Sequence, residues 1–289
     1  VGENEVTVRF HGVRGSTACH GQTTQRYGGN TSCVSVDIGT DSPIIFDLGT
    51  GLRYMSYGED DSATPKPFVG ACLLTHLHWD HLQGLPFFKS LLHPDTVIDI
   101  YGPRQPDGES LRDVFTTKIC PPTFPICISE FAATINFHEI GDDDFAIGET
   151  KVMSRFVPHT GVTLGFRVTA NNTTVTYLSD HQQPDGDFAL TTGARQLCQN
   201  TDLLIHDSQF TPAEFALKSN WGHSTLEFAM WVAETTSAKR LALFHHDPSR
   251  SDDALDVIAG RLAGIAQNRG FQVFAAADEM SVKVSALVS

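Results

Sequence analysis

Short apolar runs separated by polar, glycine-rich loops fill most of this chain, and most of the runs are of strand length. Val6–Phe10 alternates and predicts an opening strand. Val34–Ile38 and Pro43–Phe46 predict a hairpin around Gly39-Thr40-Asp41, and Leu164–Val168 with Thr174–Leu178 predicts a second, turning at Asn171-Asn172. Further strands are expected at Ala71–Leu74, Val97–Tyr101, Thr134–His138, Val152–Val157, Leu203–Ile205, Leu241–Phe244, Phe271–Ala275 and Val282–Val284. Helical spacing covers Pro212–Leu217, Thr225–Thr235 and Asp252–Asn268, the last opening after Ser251, a good N-cap. Leu85–Leu92 predicts a short helix and Glu59–Lys66 a surface loop; the stretch around Pro121-Pro122 reads as irregular. Each half runs strands first, then strands alternating with helices, with no repeat or linker between them. The expectation is one α/β domain over residues 1–289, two sheets packed face to face with helices outside.

Composition narrows the classes. With 289 residues, 40% of them hydrophobic, the chain can fill a large core. It carries 20 Lys plus Arg against 34 Asp plus Glu, a net charge of −14. That is the wrong sign for gripping a nucleic-acid backbone over a broad surface. No run has the length and apolarity of a membrane span, and nothing reads as a signal peptide. A cytoplasmic location is the default expectation; the chain opens at Val1 without Met, so an earlier segment can be missing. Six scattered cysteines without a C-x-x-C pair read as reduced thiols.

The candidate chemistry centres on Thr75-His76-Leu77-His78-Trp79-Asp80-His81, directly after the apolar run Ala71–Leu74. Alternate residues of an extended segment point the same way, so His76 and His78 can converge on one ion. Asp80 and His81 are placed to reach a second. Imidazole and carboxylate suit zinc first, with manganese and iron as alternatives. More donors stand where other apolar strands give way to loops: His159, Asp180 and His245. His246 is adjacent to His245, and only one of the two can be a ligand.

His76-x-His78-x-Asp80-His81, followed in order by His159, Asp180 and His245, resembles the metallo-β-lactamase superfamily. Phe46-Asp47-Leu48-Gly49-Thr50-Gly51 is similar to its early strand-and-turn signature. The resemblance implies an αβ/βα four-layer sandwich with two divalent metal ions at one edge. It assigns His76, His78 and His159 to the first metal, and Asp80, His81 and His245 to the second. Asp180 would bridge them, and His245 would be preferred to His246.

Other residues narrow the branch. Asp180 stands where many β-lactamases of the superfamily have Cys, and His78 stands where flavodiiron oxygen reducers have Glu. The first is similar to the phosphodiesterase, RNase Z and glyoxalase branches, and the second argues for hydrolysis over redox chemistry. His206-Asp207-Ser208-Gln209-Phe210 and His223-Ser224-Thr225 resemble the His-Glu-x-x-Phe and His-Ser-Thr signatures of the RNase Z-related branch. The likeness implies that His223 donates a proton to the leaving oxygen and that Asp207 holds it. The competing reading makes His223 a neighbour of a helix N-cap. The arm with which RNase Z grasps tRNA falls between the counterparts of His159 and Asp180, an interval that here holds only the Leu164–Leu178 hairpin. Gly12–Ser16, Tyr27–Cys33 and Pro121–Pro125 are similar to stretches of small cyclic-nucleotide phosphodiesterase-like hydrolases.

The expected protein is a dinuclear-metal phosphodiesterase for a small or cyclic nucleotide, with Asp80, His223 and Asp207 in catalysis. No tRNA, extended nucleic acid or membrane partner is expected; a homodimer is a possible assembly. A lactone or thioester hydrolase using the same centre is the alternative, and a non-catalytic metal-binding sensor the third. Arg14, in the first glycine-rich loop, is a candidate phosphate contact, set against a structural ion pair.

Overall fold

The computed structural model describes residues 6–39, 42–55 and 65–285. In chain order its strands are β1 (Val6–Gly12), β2 (Cys33–Asp37), β3 (Ile44–Phe46), β4 (Val69–Leu73), β5 (Val97–Pro103), β6 (Thr134–Ile140) and β7 (Asp144–Ile147). There follow β8 (Thr150–Phe156), β9 (Leu164–Ala170), β10 (Thr173–Leu178), β11 (Leu203–Asp207), β12 (Arg240–Phe244), β13 (Gln272–Ala275) and β14 (Ser281–Val284). They form two seven-stranded sheets, ordered β14-β1-β2-β3-β4-β5-β6 and β13-β12-β11-β10-β9-β8-β7. Pairing is antiparallel through the hairpins β2–β3 and β9–β10, then parallel along β3-β4-β5-β6 and β10-β11-β12-β13.

The sheets press together through Val8, Phe10, Val34, Phe46, Phe166, Tyr177 and Phe244, all fully buried. Phe46 and Tyr177 stack across the interface with ring centroids 4.7 Å apart. Outside the first sheet lie α1 (Leu111–Lys118) and several 3₁₀ turns. Outside the second lie α2 (Thr192–Cys198), α4 (Leu226–Thr235) and α5 (Asp252–Asn268), with the short α3 (Pro212–Lys218) at the rim. This is the expected α/β four-layer sandwich. Parallel strands covered on both faces read as continuous apolar runs, which is why β4, β10, β11 and β12 stood out in the sequence.

Four elements differ from expectation. Leu85–Leu92 is two 3₁₀ turns, Leu85–Phe87 and Lys89–Leu92, because Pro86 and a return to extended backbone at Phe88 interrupt any helix. The stretch expected to be irregular contains α1, where Ser110 caps the Asp113 N–H and Leu111, Val114 and Phe115 form a buried stripe. α2 and the edge strand β7 had also gone unread. The Thr40-Asp41 hairpin tip lies outside the described residues, as does the Glu59–Lys66 loop apart from Pro65 and Lys66. Among the described residues, no helix is long and apolar enough to cross a membrane.

Candidate metal centre

The parallel strands of both sheets end at one edge, and the donors gather there. β4 delivers His76 and His78; a 3₁₀ turn at Trp79–His81 then carries Asp80 and His81. The loops after β8, β10 and β12 supply His159, Asp180 and His245. Two triads result, His76 with His78 and His159, and Asp80 with His81 and His245, the donor atoms of each lying within 4.8 Å of one another. Asp180 sits between them. Its Oδ1 lies 3.8 Å from His76 Nε2 and 3.7 Å from His159 Nε2. Its Oδ2 lies 3.2 Å from His81 Nε2 and 3.4 Å from His245 Nε2. One carboxylate thus turns one oxygen to each triad, the arrangement a bridging ligand needs.

The donors fit a pair of cations. His76 Nε2, His81 Nε2, His245 Nε2 and Asp180 Oδ2 are buried without a hydrogen-bond partner. Leaving so many polar atoms unsatisfied is costly unless something else coordinates them. The opposite ring nitrogens are engaged, which turns the free ones inward. His76 Nδ1 is 2.9 Å from Thr75 Oγ1, His159 Nδ1 donates to Gly222 O at 2.7 Å, and His245 Nδ1 donates to Gln209 Oε1 at 3.1 Å.

Behind His81 stands a residue given no individual role in the sequence reading. Asp47 closes β3 in a left-handed conformation (φ 57°) and is fully buried. It accepts from His81 Nδ1 at 2.8 Å, Tyr177 OH at 2.9 Å, and both the N–H and hydroxyl of Thr75. A carboxylate ending an apolar strand just before Gly49-x-Gly51 was its only sequence signal. Gln209 was likewise missed as an individual: besides holding His245, its N–H donates to Asp207 Oδ1 and its Nε2 approaches Ser16 Oγ.

Charge differs between the triads. Burial pushes His76, His78 and His159 below the ordinary imidazole range, so they are neutral. Burial opposes the charging of His81 too, but Asp80, Asp180 and Asp47 outweigh it and hold the imidazolium well above that range. For Asp180, burial is outweighed by His245, His81 and His76, and the carboxylate stays ionised.

The adjacent histidine question has a clear geometric answer. His245 turns inward through a left-handed backbone (φ 58°), not the extended one expected, while His246 donates outward to Ala276 O at 2.9 Å. Beside Asp180, His223 Nδ1 bonds Asp207 Oδ2 at 2.9 Å and lies 3.7 Å from Asp180 Oδ1. Burial resists a charge on His223, but Asp207 outweighs it and raises its pKa. Shortening the family's Glu to Asp has not broken this pairing. His181, next to Asp180 in the chain, turns away from the centre to His206, with 2.9 Å between their ring nitrogens.

Arg14 departs from expectation. Its side chain is fully buried and donates to Gly28 O, Asp247 O and Arg250 O, with Asp252 at 3.7 Å. It clamps the first loop to the one after β12, and although Nη2 has no hydrogen-bond partner the whole guanidinium is buried and out of reach of a phosphate in solution.

A family model described as a beta-lactamase superfamily domain matches residues 44–246. The chain belongs to the metallo-β-lactamase superfamily. Within it, the RNase Z-related branch is supported by a ribonuclease Z from Natronomonas pharaonis, 27% identical over 278 residues, covering 82% of this chain and 86% of that protein. The metallo-β-lactamase fold protein YhfI from Bacillus subtilis superposes with TM-score 0.69 at 18% identity, over 97% of this chain and 99% of its own. A diphosphatase of the PhnP family superposes with TM-score 0.67 at 16% identity, over 98% of this chain and 100% of its own. These two likenesses speak for the fold alone. Superfamily membership and the His/Asp cluster together support a metal-dependent hydrolase with a site compatible with two metals.

Proposed function

We propose that this protein is a dinuclear-metal phosphodiesterase that cleaves a small or cyclic nucleotide. The observation that carries the reading is the His223–Asp207 pair, held at 2.9 Å beside the bridging carboxylate. Expelling a ribose oxygen benefits from such an acid, whereas opening a lactone or thioester does not require it.

His76, His78 and His159 would hold one ion, Asp80, His81 and His245 the other, and Asp180 both. Bound there, divalent ions supply a water acidified enough to attack near neutral pH and positive charge for the phosphoryl oxygens. Asp80 stays ionised, because the charge of His81 outweighs the burial that opposes it. Its Oδ2 takes the Ser16 N–H at 2.9 Å and faces His81 Nε2 and His245 Nε2, so the carboxylate would both ligate the second ion and accept a hydrogen bond from the attacking water. With Nδ1 of His223 committed to Asp207, Nε2 is the nitrogen left to protonate the departing alkoxide. Zinc is the first expectation for the metal, on the chemistry of the donors.

The name of the ribonuclease Z relatives favours a second reading, cleavage of an RNA phosphodiester. Against it stand the surplus of 34 acidic over 20 basic side chains and the short β9–β10 hairpin between His159 and Asp180.

The test is hydrolysis of 3′,5′-cyclic AMP by metal-reconstituted protein, beside His223→Ala and an activated bis-nitrophenyl diester. Wild type should cleave both. His223→Ala should lose roughly 10²–10⁴-fold on the cyclic nucleotide and far less on the nitrophenolate, which leaves without a proton. If neither diester turns over while metal analysis finds both ions bound, phosphorus is the wrong target, and lactones and thioesters come next.

A further inference from the structure

Next to the metal centre lies a groove that the hydrolytic chemistry does not use. It has a volume of about 330 Å³, within the range of small-molecule sites, and its walls include Tyr54, Trp79, Phe87, Arg53, Gln83 and Asn30. The three aromatic residues are 61%, 54% and 53% exposed. Single exposed aromatics are ordinary on a protein surface; three lining one concavity are not.

The groove is built into the same turn as the centre. Trp79 sits between His78 and Asp80, and its carbonyl accepts the N–H groups of Leu82 and Gln83, which pins the turn. Gln83 Nε2 reaches Thr31 Oγ1 at 3.4 Å, and that hydroxyl donates to Asp80 O at 2.6 Å. Wall and metal ligand are therefore parts of one hydrogen-bonded unit.

The chemistry of the walls selects the occupant. Tyr54 and Trp79 offer π faces, with the Arg53 guanidinium 5.7 Å over the Tyr54 ring. At the edge the side-chain nitrogens of Asn30 and Gln83 are engaged with Asp278 and Thr31, which leaves their amide oxygens as acceptors. A lactone or thioester acyl chain would cover those oxygens without pairing them, a desolvation cost. A flat ring with a polar rim satisfies both faces and edges. We infer that this groove is the base subsite of the enzyme, holding the purine or pyrimidine of the substrate stacked against Trp79. The inference rests on the phosphodiesterase reading above and names its substrate class.

The experiment compares kcat/KM for 3′,5′-cyclic AMP with that for base-free ribose 3,5-cyclic phosphate, in metal-loaded wild type and variants. Base stacking predicts that Trp79→Ala lowers the ratio of the two by on the order of 10–100-fold, mainly through KM. Trp79→Phe should recover most of the ratio, and Phe87→Ala should lower it less. A ratio that stays at the wild-type value in all three variants overturns the subsite while leaving the phosphodiesterase standing. A binding measurement separates the opposite failure. Saturable quenching of tryptophan fluorescence by AMP, present in wild type and abolished in Trp79→Phe, supports the subsite even where no diester turns over. Sedimentation of the same variants covers the remaining occupant: a wild-type dimer that becomes monomeric in Trp79→Ala assigns the groove to a subunit interface and overturns the proposal.

Discussion

The two halves of the candidate centre use the same donor chemistry and differ in what stands behind it. In the His76–His78–His159 half the rings of His76 and His159 are buried and lean on a hydroxyl and a backbone carbonyl, while His78 is exposed. In the Asp80–His81–His245 half every donor is buried, and His81 leans on the Asp47 carboxylate. A charged partner orients a ring more strongly than a neutral one and makes it a more basic ligand. It also loads the ring with a proton that a metal must displace. The second half is therefore the more rigid and the more pH-sensitive; the first is ready for metal but more open to solvent.

The largest effect should come from the residue the halves share. Asp180→Asn removes a charge that both triads face, and metal affinity should drop by more than the roughly 100-fold seen for outer partners. Elemental analysis after dialysis should find fewer than two ions per chain, and a variant that retains both would deny Asp180 its bridging place. Asp47→Asn comes next. It should weaken the second half by roughly 10–100-fold while sparing the first, so titration curves that resemble wild type at one equivalent should separate at two. Equal loss in both halves would mean that Asp47 serves the fold and not His81.

Thr75→Val makes the matching change in the first half. It removes the hydroxyl that His76 Nδ1 leans on and also one donor to Asp47, whose contact with His81 and whose bonds from the Thr75 N–H and Tyr177 remain. It should cost about 0.5–1.5 kcal/mol, a few-fold in affinity. An effect as large as that of Asp47→Asn would erase the distinction between the halves. The smallest signal is the proton itself. His81 is held above the ordinary imidazole range and His76, His78 and His159 below it. Near neutral pH, metal entering the second half must expel the His81 proton, so its affinity should rise with pH until that group titrates; the first half has no such proton to lose. Calorimetry in two buffers of different ionisation enthalpy should show about one more proton released by the second equivalent than by the first. Equal release would place the charge elsewhere.

Much of this centre was legible because its donors sit at strand ends and four of them fall between His76 and His81. The same was true of the His223–Asp207 pair, though only through resemblance. Asp47 was not legible as a support for His81, because its partners Thr75, His81 and Tyr177 lie far along the chain; the pairing of β3 with β4 brings the first two to it, and the closing of the two sheets brings Tyr177. Arg14 was misjudged for a related reason: a lone Arg in a glycine-rich loop looks available until Gly28, Asp247 and Arg250 pack around it. In the missed helices α1 and α2 the signals were present, Ser110 and Thr191 as caps, but each helix is too short for periodicity to speak strongly.

By itself the sequence determined all but one of the strands, their order along the chain, and the kind of atoms that could meet a metal. These are local properties: alternation, apolar run length and side-chain chemistry do not depend on what lies across the sheet. Tertiary structure decided which oxygen of Asp180 faces which triad, that His245 and not His246 turns inward, and that Trp79, Tyr54 and Phe87 share one groove. Those outcomes depend on strand register and on the close packing of two sheets, which place groups a hundred residues apart within a few ångströms of each other.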